Sequence, residues 1–142
     1  MRRILMRRIL TCALLIGLAA APARAASLVV ELRGITEARG ELMVALAAAP
    51  AEFPDHASRF AQAAVGAGEA RVRFDGLPPG DYAIAAFQDV NSNAVLDKNP
   101  LGIPSEPYGF SNDARGWFGP PSWQAARFHL GPEGGSVVIE LH

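Results

Sequence analysis

The fold of this chain is constrained most strongly by short runs in which every second residue is apolar. Each run is bounded by glycine, proline or polar turn residues. In residues 69–76 (EARVRFDG), Val72 and Phe74 share one face, and residues 77–89 (LPPGDYAIAAFQD) repeat the alternation after a Pro-Pro-Gly turn. A period of two residues is typical of half-buried strands. Comparable runs lie at residues 27–34, 40–50 and 134–142. The pattern predicts an all-β fold, a single antiparallel β-sandwich of about seven strands.

Two short segments have helical features instead. In residues 55–65, Asp55 can act as an N-cap, and Phe60 and Ala64 have helical spacing. Residues 121–126 follow a pair of prolines and are long enough for a single turn. The sequence therefore predicts one or two short helices beside the strands.

The first 25 residues have the features of a signal peptide. Basic residues at positions 2, 3, 7 and 8 precede the apolar run ILTCALLIGLAAAP, and Ala23-Arg24-Ala25 supplies the small residues that a signal peptidase accepts. The run is shorter than a membrane-spanning helix requires. We expect cleavage before Ala26, a single domain at residues 26–142 with no transmembrane segment, and a periplasmic or secreted location. An uncleaved anchor is the alternative.

Removal of the predicted signal peptide makes the remaining chain acidic. Eight of the thirteen basic residues and all fourteen acidic residues stay, which gives residues 26–142 a formal net charge of −6. Such a chain, without basic runs, is not suited to nucleic acid or anionic lipid. The one cysteine, Cys12, lies in the signal peptide, so the predicted domain has neither a disulfide nor a cysteine ligand for a metal.

The segment DVNSNAVLD at residues 89–97 has the oxygen pattern of a cation-binding loop. Calcium takes about six to eight oxygen ligands, and one loop can supply them from alternate positions. Those positions hold the side chains of Asp89, Asn91, Asn93 and Asp97 and the backbone carbonyl of Val95. Ala94 and Pro100 stand where an EF-hand has its glycine and its last glutamate. The segment is thus a calcium loop of another type, or a polar turn held by side-chain hydrogen bonds.

A second candidate site lies in the long stretch between residues 99 and 123, which is rich in glycine, proline and aromatic residues. Long loops of this kind are usually functional or disordered, and the aromatic residues argue against disorder. Tyr108, Trp117 and Trp123 would form a stacking platform for a sugar or a peptide, with Arg115 among the rings. The alternative is that these rings pack over one open end of the sandwich.

A set of motifs across residues 77–122 resembles the bacterial family catalogued as domain of unknown function 2141. The motifs are Leu-Pro-Pro-Gly-Asp-Tyr at 77–82, Phe87-x-Asp89-x-Asn91-x-Asn93-x-x-Leu96-Asp97, Leu-Gly-Ile-Pro at 101–104, Tyr-Gly-Phe-Ser-Asn at 108–112, Ala-Arg-Gly at 114–116 and Phe-Gly-Pro-Pro-Ser at 118–122. The family commonly has glycines inside the loop, where this chain has Ser92 and Ala94. The turn-strand-loop order is also similar to prealbumin-like, immunoglobulin-like modules of bacterial surface proteins. The resemblance implies a sandwich and an exported setting, and it implies no reaction.

Two classes of function follow from these features. The first is a non-enzymatic binding or structural module of the cell envelope, with calcium in the 89–97 loop and a carbohydrate or an envelope protein as partner. The second is a small hydrolase or binder of envelope carbohydrate that uses the aromatic stretch 108–123 and acids such as Asp75, Asp89 or Asp113. The first class is favoured because no residue set has catalytic spacing and because the richest motif offers ligand oxygens. We therefore assign no catalytic residue.

Overall fold

The computed structural model describes residues 25–66 and 68–142. Apart from Ala25, the predicted signal peptide lies outside the described residues. Within them there are eight strands, one short α-helix and two 3₁₀ turns, so the prediction of an all-β chain is confirmed. None of the helices in these ranges has the length and hydropathy that a membrane crossing needs.

The strands are short and follow one another closely along the chain. Their bounds are β1 (Ala26–Ile35), β2 (Glu41–Ala47), β3 (Arg59–Ala64), β4 (Gly68–Leu77), β5 (Gly80–Asp89), β6 (Tyr108–Phe110), β7 (Phe128–Leu130) and β8 (Gly135–Glu140). The helix α1 spans Trp123–Ala126, as the sequence predicted, and the 3₁₀ turns span Pro50–Glu52 and Ser111–Asp113.

The strands form two sheets. A three-stranded sheet has the order β4-β1-β8, and a five-stranded sheet has the order β3-β2-β5-β6 with β7 also paired to β5. The prediction of purely antiparallel pairing is wrong for one pair, because β8 runs parallel to β1 with Val30 opposite Val137. Parallel neighbours need a long crossover connection, and here the rest of the domain lies between the two strands.

Alternation places the apolar side chains of both sheets in one core. In β1, Leu28, Val30 and Leu32 are fully buried, and the residues between them are partly exposed. One cluster of buried side chains joins β1, β4 and β8 to β2 and β5. Its largest fully buried members are Leu28, Leu32, Leu42, Leu46, Leu77, Ile84 and Ile139. The predicted alternation therefore identified the core faces of these strands.

The predicted helix at residues 55–65 is wrong, because most of this segment is strand β3. Arg59–Ala64 pairs antiparallel with β2, and Phe60 lies opposite Ala45. Phe60, the residue on which the helical spacing depended, is 66% exposed, whereas Ala61 and Ala63 pack against the core. Ala61 and Ala63 have the two-residue spacing of inward-facing strand residues. The large exposed ring of Phe60 hid this pattern in the sequence.

At one corner, the residues that follow β8 bond to both sheets. Leu141 donates its backbone N–H to Arg33 in β1 (3.0 Å), and His142 exchanges backbone hydrogen bonds with Tyr108 at the start of β6 (3.0 and 3.3 Å). The backbones of β6 and β8 are close, since a Cβ atom on Gly109 would lie 2.2 Å from the carbonyl oxygen of Glu140. The second candidate site lies at this corner.

Candidate functional site: the 89–97 loop and the cavity beside strand β6

Asp89 ends β5 and begins the predicted cation loop. Its side chain is 1% exposed. One carboxylate oxygen accepts the backbone N–H of Asn93 (3.1 Å), and the other accepts that of Ala94 (2.6 Å). Ser92 and Ala94 have positive φ values of 59° and 62°, which turn the chain back over Asp89. Both oxygens of this buried carboxylate therefore hold the loop backbone.

Asp97, at the other end of the loop, is surrounded by side-chain amides. Asn91 donates to it at 2.6 Å, and Asn93 donates to both of its oxygens at 3.1 and 3.2 Å. The amide oxygens of Asn91 and Asn93 accept backbone N–H groups from residues 93 and 95 (3.1 and 2.9 Å). In the described ranges, no three acidic or histidine side chains gather in a metal-holding group. The oxygens of the loop meet N–H donors in this arrangement, and the calcium site stays a prediction.

Glu106 fixes the same loop from outside it, and the sequence did not predict its role. Its side chain is 7% exposed, and its two carboxylate oxygens accept the backbone N–H groups of Val90 (2.8 Å) and Asp97 (3.0 Å). The hydrogen bond from Gln88 N–H to the carbonyl of Pro107 (2.8 Å) extends the pairing of β5 with the chain before β6 and brings Glu106 beside the loop. One carboxylate thus joins the start and the end of the loop.

The second candidate site is a cavity of about 200 Å³ beside β6. Its lining combines aromatic, charged and glycine residues: Tyr108, Gly109, Phe110, Asp113, Ala114, Arg115, Gly116, Gly119 and His142. The rings of Tyr108 and Phe110 pack edge to face, with centroids 5.9 Å apart. The lining combines polar groups with aromatic rings, and the cavity is smaller than the roughly 300–1,000 Å³ that is usual for small-molecule sites.

Three polar side chains of this lining contact one another. His142 Nε2 lies 2.9 Å from Asp113 Oδ1 and 2.6 Å from Arg115 Nη2, and Arg115 Nη2 lies 3.4 Å from the same Asp113 oxygen. The hydrogen bond from His142, together with the charge of Arg115, lowers the pKa of Asp113 below its usual range. We name Asp113, Arg115 and His142 the polar triad.

The 3₁₀ turn at Ser111–Asp113 holds Asp113 in place. The buried Ser111 hydroxyl accepts the N–H of Ile84 (2.9 Å) and donates to the carbonyl of Ala126 (2.5 Å). The Asn112 side chain donates to the carbonyls of residues 125 and 127 (3.2 and 2.8 Å). Asn112 and Asp113 both have positive φ, 61° and 48°, a region that residues other than glycine rarely adopt. Ser111 and Asn112 anchor the turn, and Asp113 faces the cavity.

The comparison with family models decides where this chain belongs. The model of the bacterial family described as "Uncharacterized protein conserved in bacteria (DUF2141)" matches residues 30–138. The chain belongs to the DUF2141 family. The resemblance drawn from the motifs is thus confirmed. No curated protein and no solved structure matches the chain.

The structure of this DUF2141 protein brings together only part of the predicted aromatic site. Tyr108 and Arg115 line the cavity. Trp117 is 95% exposed and is not part of the lining. Trp123 is 9% exposed in a small second core, where its ring packs against Phe53 (centroids 6.2 Å apart). The four residues therefore do not form one platform.

The acids considered for hydrolysis in this DUF2141 protein have separate roles. Asp75 accepts hydrogen bonds from the Ser27 hydroxyl (2.6 Å) and Arg73 (2.7 Å), and both lower its pKa. Asp89 holds the loop backbone, as described above. Asp113 alone among the three lines the cavity. Its partner His142 is 29 residues away in sequence, so local spacing gave no signal of the pair.

Proposed function

We propose that this DUF2141 protein is an exported, non-enzymatic binding and structural module of the cell envelope, and that calcium stabilises its 89–97 loop. The observation that carries the proposal is the set of hydrogen bonds that the two buried acids accept. Asp89 and Glu106 each accept two backbone N–H groups. Carboxylates fixed in this way stabilise a loop and are poorly placed to transfer protons.

The remaining parts of the proposal rest on the core and on the N-terminal sequence. A cluster of buried side chains shared by both sheets supports a single sandwich, in which the two sheets pack face to face. The basic flank, the short apolar run and the Ala-x-Ala site before Ala26 support export.

Calcium is supported by the negative charge of the loop, whose carboxylates are hydrogen-bonded to neutral N–H groups. Asp89, Asp97 and Glu106 bring three carboxylates to one connection, and none of the ion pairs between described residues includes them. Asp97 is only half-buried, and the two amides that donate to it can rotate to present oxygen instead of nitrogen. Rotated amides, Asp97, backbone carbonyls and water would supply the oxygens that calcium takes, with an affinity of about 0.1–1 mM, as in extracellular modules.

Thermal unfolding with calcium and with a chelator tests this proposal. At a hundredfold excess of calcium over Kd, the ion should raise the free energy of unfolding by about 2.7 kcal/mol. Asp97→Asn should remove most of that gain, whereas the matched control Asp75→Asn, outside the loop, should retain it. Coincident melting curves of the unmodified protein with millimolar calcium and with chelator would show that the loop is only a polar turn.

The cavity supports a second candidate function, the binding or hydrolysis of envelope carbohydrate. The observation in its favour is that Tyr108, Asp113, Arg115 and His142 all line one cavity. Aromatic rings can stack on sugars, while the charged groups can bond to hydroxyls. A glycan array tests binding, and release of products from cell-wall sugars tests hydrolysis. Turnover that disappears in Asp113→Ala would assign an enzyme, whereas binding without turnover would assign a lectin-like module.

A further inference from the structure

The polar triad leaves some hydrogen-bonding groups unused. Arg115 contacts Asp113 and His142 through Nη2 alone. Its Nε and Nη1 groups have no hydrogen-bond partner among residues 25–66 and 68–142, and its side chain is 62% exposed. These two groups are not parallel, because each parallel N–H pair of a guanidinium includes Nη2. Each of them can instead donate a single charge-assisted hydrogen bond to an anion.

Only one of the two carboxylate oxygens of Asp113 makes side-chain contacts. Both of its side-chain contacts involve Oδ1, and within the described part of the chain Oδ2 accepts no hydrogen bond. An ionised carboxylate has about four acceptor positions. An unused acceptor beside unused cationic N–H groups fits a ligand that carries hydroxyl donors as well as a carboxylate.

The size and lining of the cavity restrict the ligand further. Its volume of about 200 Å³ is below the range of about 300–1,000 Å³ that is usual for drug-sized ligands. The rings of Tyr108 and Phe110 supply an apolar wall. A single six-membered sugar ring offers both an apolar face and a polar rim, so one sugar unit matches the space and the chemistry.

We propose that the cavity binds a sugar that carries a carboxylate, such as a hexuronate. The ligand carboxylate accepts a hydrogen bond from an unused N–H group of Arg115, a ring hydroxyl donates to Asp113 Oδ2, and the sugar ring packs against Tyr108. The inference rests on the second candidate function, carbohydrate binding, and names the class of sugar.

Isothermal titration of the purified protein with glucuronate, glucose and acetate tests the inference. Glucuronate should bind more tightly than glucose or acetate by about tenfold or more, which corresponds to one charge-assisted hydrogen bond. Arg115→Gln should remove the preference for glucuronate. Arg39→Gln, which changes an equally exposed arginine paired with Glu37, is the matched control and should leave the preference unchanged.

The outcomes separate the inference from the function on which it rests. Equal binding of glucose and glucuronate would overturn the role of the carboxylate and leave carbohydrate binding intact. Acetate binding as tight as that of glucuronate would overturn the role of the sugar ring. Absence of binding by all three probes would overturn both the inference and the carbohydrate function of the cavity.

Discussion

Glu106→Gln should destabilise the fold by weakening the attachment of the 89–97 loop. Each oxygen of the buried Glu106 carboxylate accepts one backbone N–H, from Val90 and from Asp97. Glutamine has one acceptor oxygen, so one of these N–H groups would face an NH₂ donor. The variant loses one hydrogen bond to a charged group, about 1.5–3 kcal/mol, and weakens the other.

The expected loss in the free energy of unfolding is therefore about 2–4 kcal/mol, a large part of the roughly 5–15 kcal/mol that a domain possesses. For a chain of this size, the melting temperature should fall by about 10 °C. Urea unfolding followed by tryptophan fluorescence, with chelator present, measures the loss without a contribution from calcium. Glu133→Gln is the control, because Glu133 is exposed and has no side-chain hydrogen bond to other described residues. A Glu106→Gln variant within about 0.5 kcal/mol of the control would refute the joining role of Glu106.

Three further predictions concern the loop and the turn that presents Asp113. Ala94→Gly should stabilise the protein by about 0.5–1 kcal/mol, because Ala94 has a φ of 62° and glycine adopts that region without strain. Urea midpoints measure the change, with Ala48→Gly as the control. Ser111→Ala should destabilise by about 1–3 kcal/mol, since the N–H of Ile84 and the carbonyl of Ala126 both lose a buried partner, and an unchanged midpoint would contradict the anchoring role. The lowered pKa of Asp113 means that its contribution to stability is present above the unfolded value of about 3.9 and is lost as the pH falls through the folded value. Melting temperatures of Asp113→Asn should therefore approach those of the unmodified protein as the pH falls below about 4, and a constant difference would exclude this linkage.

The sequence predicted the parts of the fold that depend on local alternation. Val72 and Phe74 are buried in β4 as predicted, because each strand signals its own inward face. The parallel pairing of β1 with β8 could not be predicted, since the alternation of a strand does not identify its neighbour. Phe60 led to a wrong helix because a large ring dominates a pattern even where it points to solvent.

The candidate sites were predictable to the extent that they consist of neighbours in sequence. Asp89, Asn91, Asn93 and Asp97 are indeed brought together by one loop, through hydrogen bonds that follow from their spacing. Glu106 and His142 reach their sites through strand pairing, which joins distant segments, and no local motif marks either residue. The sequence grouped Trp117 and Trp123 with Tyr108 because all three are aromatic residues of one stretch. In the structure Trp123 is buried and Trp117 is exposed, so they do not act together.

The pairing of β1 with β8 also sets the order in which this protein can fold. Leu28 lies opposite Gly135, so two neighbours in the central part of one sheet are separated by about a hundred residues of chain. Contacts of such long range require loop closure before they stabilise anything, and proteins rich in them fold in milliseconds to seconds. Until the last strand arrives, β1 has β4 on one side and an open edge on the other. Open edges of this kind recruit strands from other chains. Strand β8 covers this edge of β1, becomes the edge strand itself and brings His142 to the cavity.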